Sequence, residues 1–68
     1  MIVDIEILYF DEEKQKPMGR LVNRKISPDC KVIVDEDGEE IIIKTSNGEI
    51  LCTFKKKNVY NYTIQNIE

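Results

Sequence analysis

The chain has 68 residues, a formal net charge of −3 and no histidine. A chain this short forms one domain with a single small core, which we expect to span residues 1–68. Its excess of acid argues against general binding to nucleic-acid phosphates. No apolar run is long enough to span a bilayer, and the start lacks the pattern of a signal peptide. We therefore expect a cytoplasmic protein without membrane contact.

The first part of the chain carries two predicted strands. Ile2–Phe10 alternates in polarity, which predicts a strand, and the polar connection after it ends at Pro17. Met18–Ile26 also alternates, although its apolar residues fit a helix that begins after Pro17 as well. Gly19 and the β-branched Val22 favour the strand, and the helix stays as the alternative. The predicted apolar face of the first strand comprises Val3, Ile5, Ile7 and Tyr9.

Residues 30–55 predict a three-stranded antiparallel meander, because Asp37-Gly38 and Asn47-Gly48 are typical of two-residue hairpin turns. Partners across the first turn then have residue numbers that sum to 75, and partners across the second sum to 95. Both registers place the same apolar residues on one face, and an odd insertion such as a bulge would break that agreement. The predicted core face comprises Cys30, Val32, Val34, Ile41, Ile43, Ile50, Cys52 and Phe54.

The other face of the meander is predicted to be apolar as well, with Ile33 directly opposite Ile42 and with Leu51 on the same side. Two interpretations remain open. Either curvature of the sheet brings the terminal strands over these residues, as in a closed barrel, or the residues form an exposed patch that binds a partner or a second copy.

The basic connection Lys55–Asn58 leads into a final predicted strand, Val59–Ile64. The chain is therefore predicted to be all-β: a small single-domain antiparallel barrel or sandwich of five to six short strands, built around the meander at 30–55. In outline it resembles the SH3-like and Sm-like barrels. That resemblance concerns architecture and implies no particular activity, since such folds host many functions.

The sequence offers few of the side chains that catalysis requires. It has no histidine, and its two serines lie in predicted turns without a nearby base. Cys30 and Cys52 are predicted to lie ~11 Å apart on outer strands, beyond the ~7 Å limit for a disulfide, and to act as small buried hydrophobes. We therefore predict a protein that is not an enzyme and that uses no metal or other cofactor.

The predicted function is a non-catalytic protein-interaction or regulatory module whose partner is another protein, with a homo-oligomer as a further option. Two features point to it: the apolar second face of the meander and the acidic tip of its first hairpin. The candidate protein-binding residues are Ile33, Ile42, Leu51, Asp35, Glu36, Asp37, Glu39 and Glu40.

The alternative function is binding of nucleic acid by a small β-barrel. Basic residues cluster in segments 20–25 and 55–57, and small barrels hold single strands with lysines and exposed aromatics. The negative net charge makes this partner the weaker prediction. The candidate nucleic-acid-binding residues are Arg20, Arg24, Lys25, Lys55, Lys56 and Lys57.

Overall fold

The computed structural model describes residues 1–67 and shows two separate three-stranded antiparallel sheets. The elements are β1 (Ile2–Asp11), β2 (Lys16–Lys25), β3 (Val32–Asp35), β4 (Glu40–Thr45), β5 (Ile50–Lys55), a short 3-10 helix (Lys56–Asn58) and β6 (Val59–Asn66). Sheet A has the strand order β2-β1-β6, and sheet B has the order β3-β4-β5. Among the described residues, no helix is long and apolar enough to cross a membrane.

Sheet A confirms the predicted strands at both ends of the chain. The segment that also fitted a helix is strand β2, paired with β1 along its whole length from Ile2↔Lys25 to Asp11↔Lys16. On the other side of β1, strand β6 pairs in a register that sets Ile5 opposite Ile64 and Ile7 opposite Tyr62. The alternation of β1 therefore has the predicted result: its apolar face is buried, and its charged face points away from the core.

In sheet B, the predicted register between β3 and β4 is wrong by two residues. Val34 pairs with Ile43 rather than with Ile41, because the turn is centred between Gly38 and Glu39 and not between Asp37 and Gly38. The Asp35 carboxylate accepts a hydrogen bond from the backbone N–H of Asp37, which starts a wider turn. Since a shift of two preserves the alternation of side chains, Val34 and Ile43 keep their predicted face.

The second hairpin contains a bulge, and this overturns two predicted positions. Cys52 pairs with Ile43 as predicted, but the register shifts at the next residue, so that Lys44 pairs with Ile50. The bulge turns both Leu51 and Cys52 inward, and they are 3% and 5% exposed. Ile50, predicted to be in the core, is 60% exposed, and Leu51, predicted to be on the outer face, is a core residue.

The cause of the bulge is a loop of three residues, Ser46–Gly48, in place of the predicted two. Thr45 donates its backbone N–H to the Glu49 carbonyl at 2.8 Å, so Glu49 pairs with Thr45 and not with Ser46, as it would across a two-residue turn. Gly48 takes a φ of +98°, the left-handed conformation that such a loop requires at its last position.

The two sheets pack face to face, and both contribute to a single core. Strands β2 and β5 lie on one side of the sandwich, where Arg20 and Phe54 line the same cleft. On the opposite side, β6 lies beside the end of β3, where the Tyr62 hydroxyl donates to the Glu36 carboxylate. The buried apolar residues are Val3, Ile5, Ile7, Val22, Ile26, Ile41, Ile43, Leu51 and Cys52.

A closed barrel does not form in residues 1–67, because sheets A and B share no strand. Sheet A covers the inner face of sheet B and leaves the outer face of sheet B uncovered. Ile33 on that face remains 41% exposed. The likeness to SH3-like and Sm-like barrels therefore extends only to an all-β chain of antiparallel strands with short connections. Two of the strands, β1 and β2, have ten residues each and are longer than predicted.

Candidate functional site

The two cysteines are free thiols in different environments. Cys52 lies in the core, as predicted, and burial raises the pKa of its thiol, whereas the Arg20 and Arg24 guanidinium groups act in the opposite direction. Cys30 is half-buried and precedes β3, so its predicted place on a strand is wrong. Among residues 1–67, no group of three His, Cys, Asp or Glu side chains is arranged to hold a metal ion.

The acidic loop between β3 and β4 lies beside the lysines that follow β5. The backbone N–H of Lys56 donates to the Glu39 carbonyl at 3.0 Å, and the Lys56 ammonium donates to the Glu36 carbonyl. Glu40 pairs with Lys55 across the two strands. The fold thus brings together two groups of residues that the sequence assigned to different functions, and their opposite charges offset each other at this end of the molecule.

Two further contacts join the loop after β1 to the 3-10 helix at the same end of the molecule. The Asn58 amide donates to the Glu12 carboxylate at 2.6 Å, and the Lys57 ammonium lies 3.8 Å from it. The hydrogen bond from Asn58, followed by the charge of Lys57, lowers the pKa of Glu12. Burial and a hydrogen bond to Glu36 raise the pKa of Tyr62. The lysines at 56 and 57 are therefore held by the chain's own acidic and carbonyl groups, which weakens their case as a phosphate-binding patch.

The outer face of sheet B presents three isoleucines around an ion pair. Ile33 lies opposite Lys44, not opposite Ile42 as predicted, and Ile42 is half-buried between Asp35 and Thr53 on the neighbouring strands. Ile50 joins them at the edge because of the bulge. The Lys44 ammonium lies 3.9 Å from the Asp35 carboxylate. The outer face of sheet B, defined here as Ile33, Ile42, Ile50, Lys44 and Asp35, is thus an apolar patch with one charge of each sign.

A cleft opens on the side of the sandwich where β2 faces β5. Its apolar lining includes Ile7 and Phe54. Its charged lining has both signs: Arg20 and Lys55, together with Asp11, Glu12 and Glu13. Arg24 lies further along β2, close enough to Cys52 to influence the pKa of its thiol. The sequence does not predict this cleft, because the cleft depends on how the two sheets face each other, and hairpin registers carry no information about that packing.

Comparisons of the chain with protein-family models, with curated proteins and with solved structures give no match. The chemistry of its surfaces is therefore the basis for the functional argument.

Proposed function

We propose that this chain is a non-catalytic interaction module that binds another protein through the outer face of sheet B. The observation that carries the proposal is the exposure of large aliphatic side chains on this face: Ile33 is 41% exposed and Ile50 is 60% exposed, beside the half-buried Ile42. Burial of such side chains against a partner is the main favourable term in protein association.

The size of this face indicates how it would be used. Three short strands present a much smaller area than the ~800 Å² per partner of a standard interface. The isoleucines would therefore form the apolar centre of a contact whose rim is polar. The pair of Lys44 and Asp35 suits such a rim, because its two charges can be re-paired with charges of the partner.

The experiment compares two matched substitutions. Ile50→Lys places a charge within the proposed contact, while Ile67→Lys makes the same change at a residue that is 52% exposed and lies beyond the end of β6. The tagged wild-type chain and both variants are cross-linked in the source cells, and captured proteins are quantified. A protein that is retained by wild type and by Ile67→Lys but lost by Ile50→Lys supports the proposal. An unchanged set of captured proteins contradicts it.

The same variants separate a different partner from a second copy of this chain. Light scattering across a dilution series measures the mass of each variant. If the contact is with a second copy, wild type and Ile67→Lys dimerise and Ile50→Lys is a monomer. If the partner is another protein, all three are monomers by themselves.

A further inference from the structure

Among residues 1–67, the backbone of β2 has a row of hydrogen-bonding groups that no other strand uses. Met1 and Ile26 exchange both of their backbone hydrogen bonds, at 2.8 and 3.1 Å, and the ladder continues in that register from Ile2↔Lys25. Because bonded and non-bonded pairs alternate in an antiparallel ladder, the even-numbered residues of β2 bond to β1. The odd-numbered residues direct their N–H and C=O groups away from β1. The outward N–H groups are those of Gly19, Leu21, Asn23 and Lys25.

The proline at position 17 is consistent with this alternation of hydrogen bonds. Pro17 has no N–H to donate and, as an odd-numbered residue, it takes a position where the ladder to β1 needs none. In the part of the chain that the structure describes, no strand pairs with β2 on its outer side. Leu21, at the middle of this edge, is 66% exposed. A ten-residue edge strand with unpaired backbone groups is a template for another strand.

The charges on β2 determine which strand it can accept. Residues 14–28 contain no acidic side chain, and β2 itself carries Lys16, Arg20, Arg24 and Lys25. Antiparallel pairing with β2 of a second copy would bring these positive charges against one another, which is unfavourable. The same charges attract a strand that carries carboxylates.

The cleft beside β2 adds a place for side chains. The side chain of Arg20 lies on the same side of β2 as that of Val22, and this side faces sheet B. Arg20 lines the cleft together with Lys55 of β5. Alternate side chains of an added strand would point toward this cleft. Its lining of Ile7 and Phe54 suits an aliphatic side chain. Its charged lining has both signs, with Asp11, Glu12 and Glu13 beside Arg20 and Lys55, so the preference for a carboxylate rests on Arg20 and Arg24 along β2 itself.

We propose that β2 binds an extended acidic segment of a partner protein, which adds to sheet A as a further strand. The segment bonds through its backbone to the outward groups of Gly19, Leu21, Asn23 and Lys25 and places carboxylates near Arg20 and Arg24. This surface is separate from the outer face of sheet B, and the added strand needs no contact with that face. Strand addition of this kind takes affinity from the backbone and specificity from alternate side chains.

The observations favour a peptide over a nucleic acid. The outward edge of β2 alternates N–H with C=O groups, which match another backbone, and the carbonyl oxygens repel phosphate. The strand has no aromatic side chain on which a base would stack. A nucleic acid would be held only by the basic side chains of β2, without base stacking or backbone pairing.

The test uses three capped peptides of about eight residues, a typical strand length. In the first, Glu and Val alternate; in the second, Lys replaces Glu; in the third, Pro replaces Val, which keeps the charge but removes half of the N–H donors. Binding is followed by amide chemical shifts and amide hydrogen exchange of the 15N-labelled chain. We expect the Glu-Val peptide to shift the amide signals of residues 19, 21, 23 and 25 and to slow their exchange at least about fivefold at saturation.

Several outcomes would overturn the proposal. One is equal binding of the Lys-Val peptide; another is equal binding of the Glu-Pro peptide, which would indicate charge attraction without strand pairing. A third is that a random-sequence single-stranded oligonucleotide shifts these amide signals and the Glu-Val peptide does not, which would establish the nucleic-acid function instead. Shifts confined to Ile33, Ile42 and Ile50 would also overturn it, and would support the outer face of sheet B.

Two pairs of variants test the backbone and the charge separately. Leu21→Pro removes an N–H that the fold does not use, so we expect about fivefold weaker binding of the Glu-Val peptide. Leu21→Ala keeps that N–H and is expected to bind within about twofold of wild type. Arg24→Glu is expected to weaken binding about fivefold, and Lys31→Glu, near β6 on the opposite side, to leave it unchanged. Equal binding by Arg24→Glu and Lys31→Glu overturns the proposal even if Leu21→Pro fails to fold.

Discussion

At the scale of single residues, the bulge in β5 decides which side chains are buried in the core and which are exposed on the outer face of sheet B. Leu51 and Cys52 are adjacent in sequence, yet both point into the core, whereas strict alternation would expose one of them. The exposed residue is instead Ile50, which becomes part of the outer face of sheet B. Simple alternation predicted Ile33 and Ile42 correctly as members of this face, because no irregularity lies between them and the turn.

The two cysteines give a direct measure of this burial. Cys52 is buried and its pKa is raised, so little of it is thiolate at neutral pH, whereas Cys30 is half-buried. We expect an aromatic disulfide reagent to modify Cys30 at least about tenfold faster than Cys52, since Cys52 must await an opening of the core.

The comparison uses Cys30→Ser and Cys52→Ser, each with one thiol left, followed by absorbance at several pH values. The slow thiol in Cys30→Ser should react quickly once the protein is unfolded by urea, which confirms that the fold protects it. Equal rates for the two folded variants would contradict the inward position of Cys52.

At the scale of elements, the sequence predicted the strands well and the loops less well. All six segments predicted as strands are strands, because each one alternates or is rich in β-branched residues. The turn dipeptides located both hairpins of sheet B but not their loop lengths. Each loop length depends on a hydrogen bond that a dipeptide rule does not contain: Asp35 to Asp37 in one hairpin, and Thr45 to Glu49 in the other.

The two turn glycines therefore have different expected roles. Gly48 has a φ of +98°, which any residue with a Cβ adopts only with strain, although space for a Cβ is open there. Gly38 has open space as well and no positive φ. We expect Gly48→Ala to lower the free energy of unfolding by about 1 kcal/mol and Gly38→Ala to change it by less than about 0.5 kcal/mol.

Urea unfolding of wild type and the two variants, followed by circular dichroism, measures these differences. A larger loss for Gly38→Ala than for Gly48→Ala would show that the three-residue loop is assigned to the wrong hairpin.

At the scale of the whole molecule, the sequence could not predict how the two sheets are arranged. The contacts within each hairpin are local in sequence, whereas the packing of β2 near β5 and of β6 near β3 joins residues far apart in sequence. Because residues 1–67 form a sandwich and not a closed barrel, the edge of β2 is open and the outer face of sheet B is uncovered in the described structure. Both proposed binding surfaces are thus consequences of how the sheets pack. The sequence shows which residue types these surfaces contain, but it does not predict that the surfaces are exposed.

This packing also predicts how the molecule unfolds. Ile5 is fully buried at the centre of β1, and Ile43 is fully buried at the centre of β4, so each sheet depends on the other for its core. In the described chain, each three-stranded sheet is covered on its inner face only by the other sheet. We therefore expect the two sheets to unfold as one cooperative unit.

Ile5→Val tests this expectation, because it removes one methylene from sheet A at a cost of about 1 kcal/mol. Amide hydrogen exchange should then become about fivefold faster at the slowest amides of β1 and equally faster at those of β4, since both exchange only through global unfolding. The amide of Leu21, which points away from β1, should exchange fast in both proteins. Faster exchange confined to β1 would show that sheet A opens independently and that the core shared by the two sheets does not bind them into one unit.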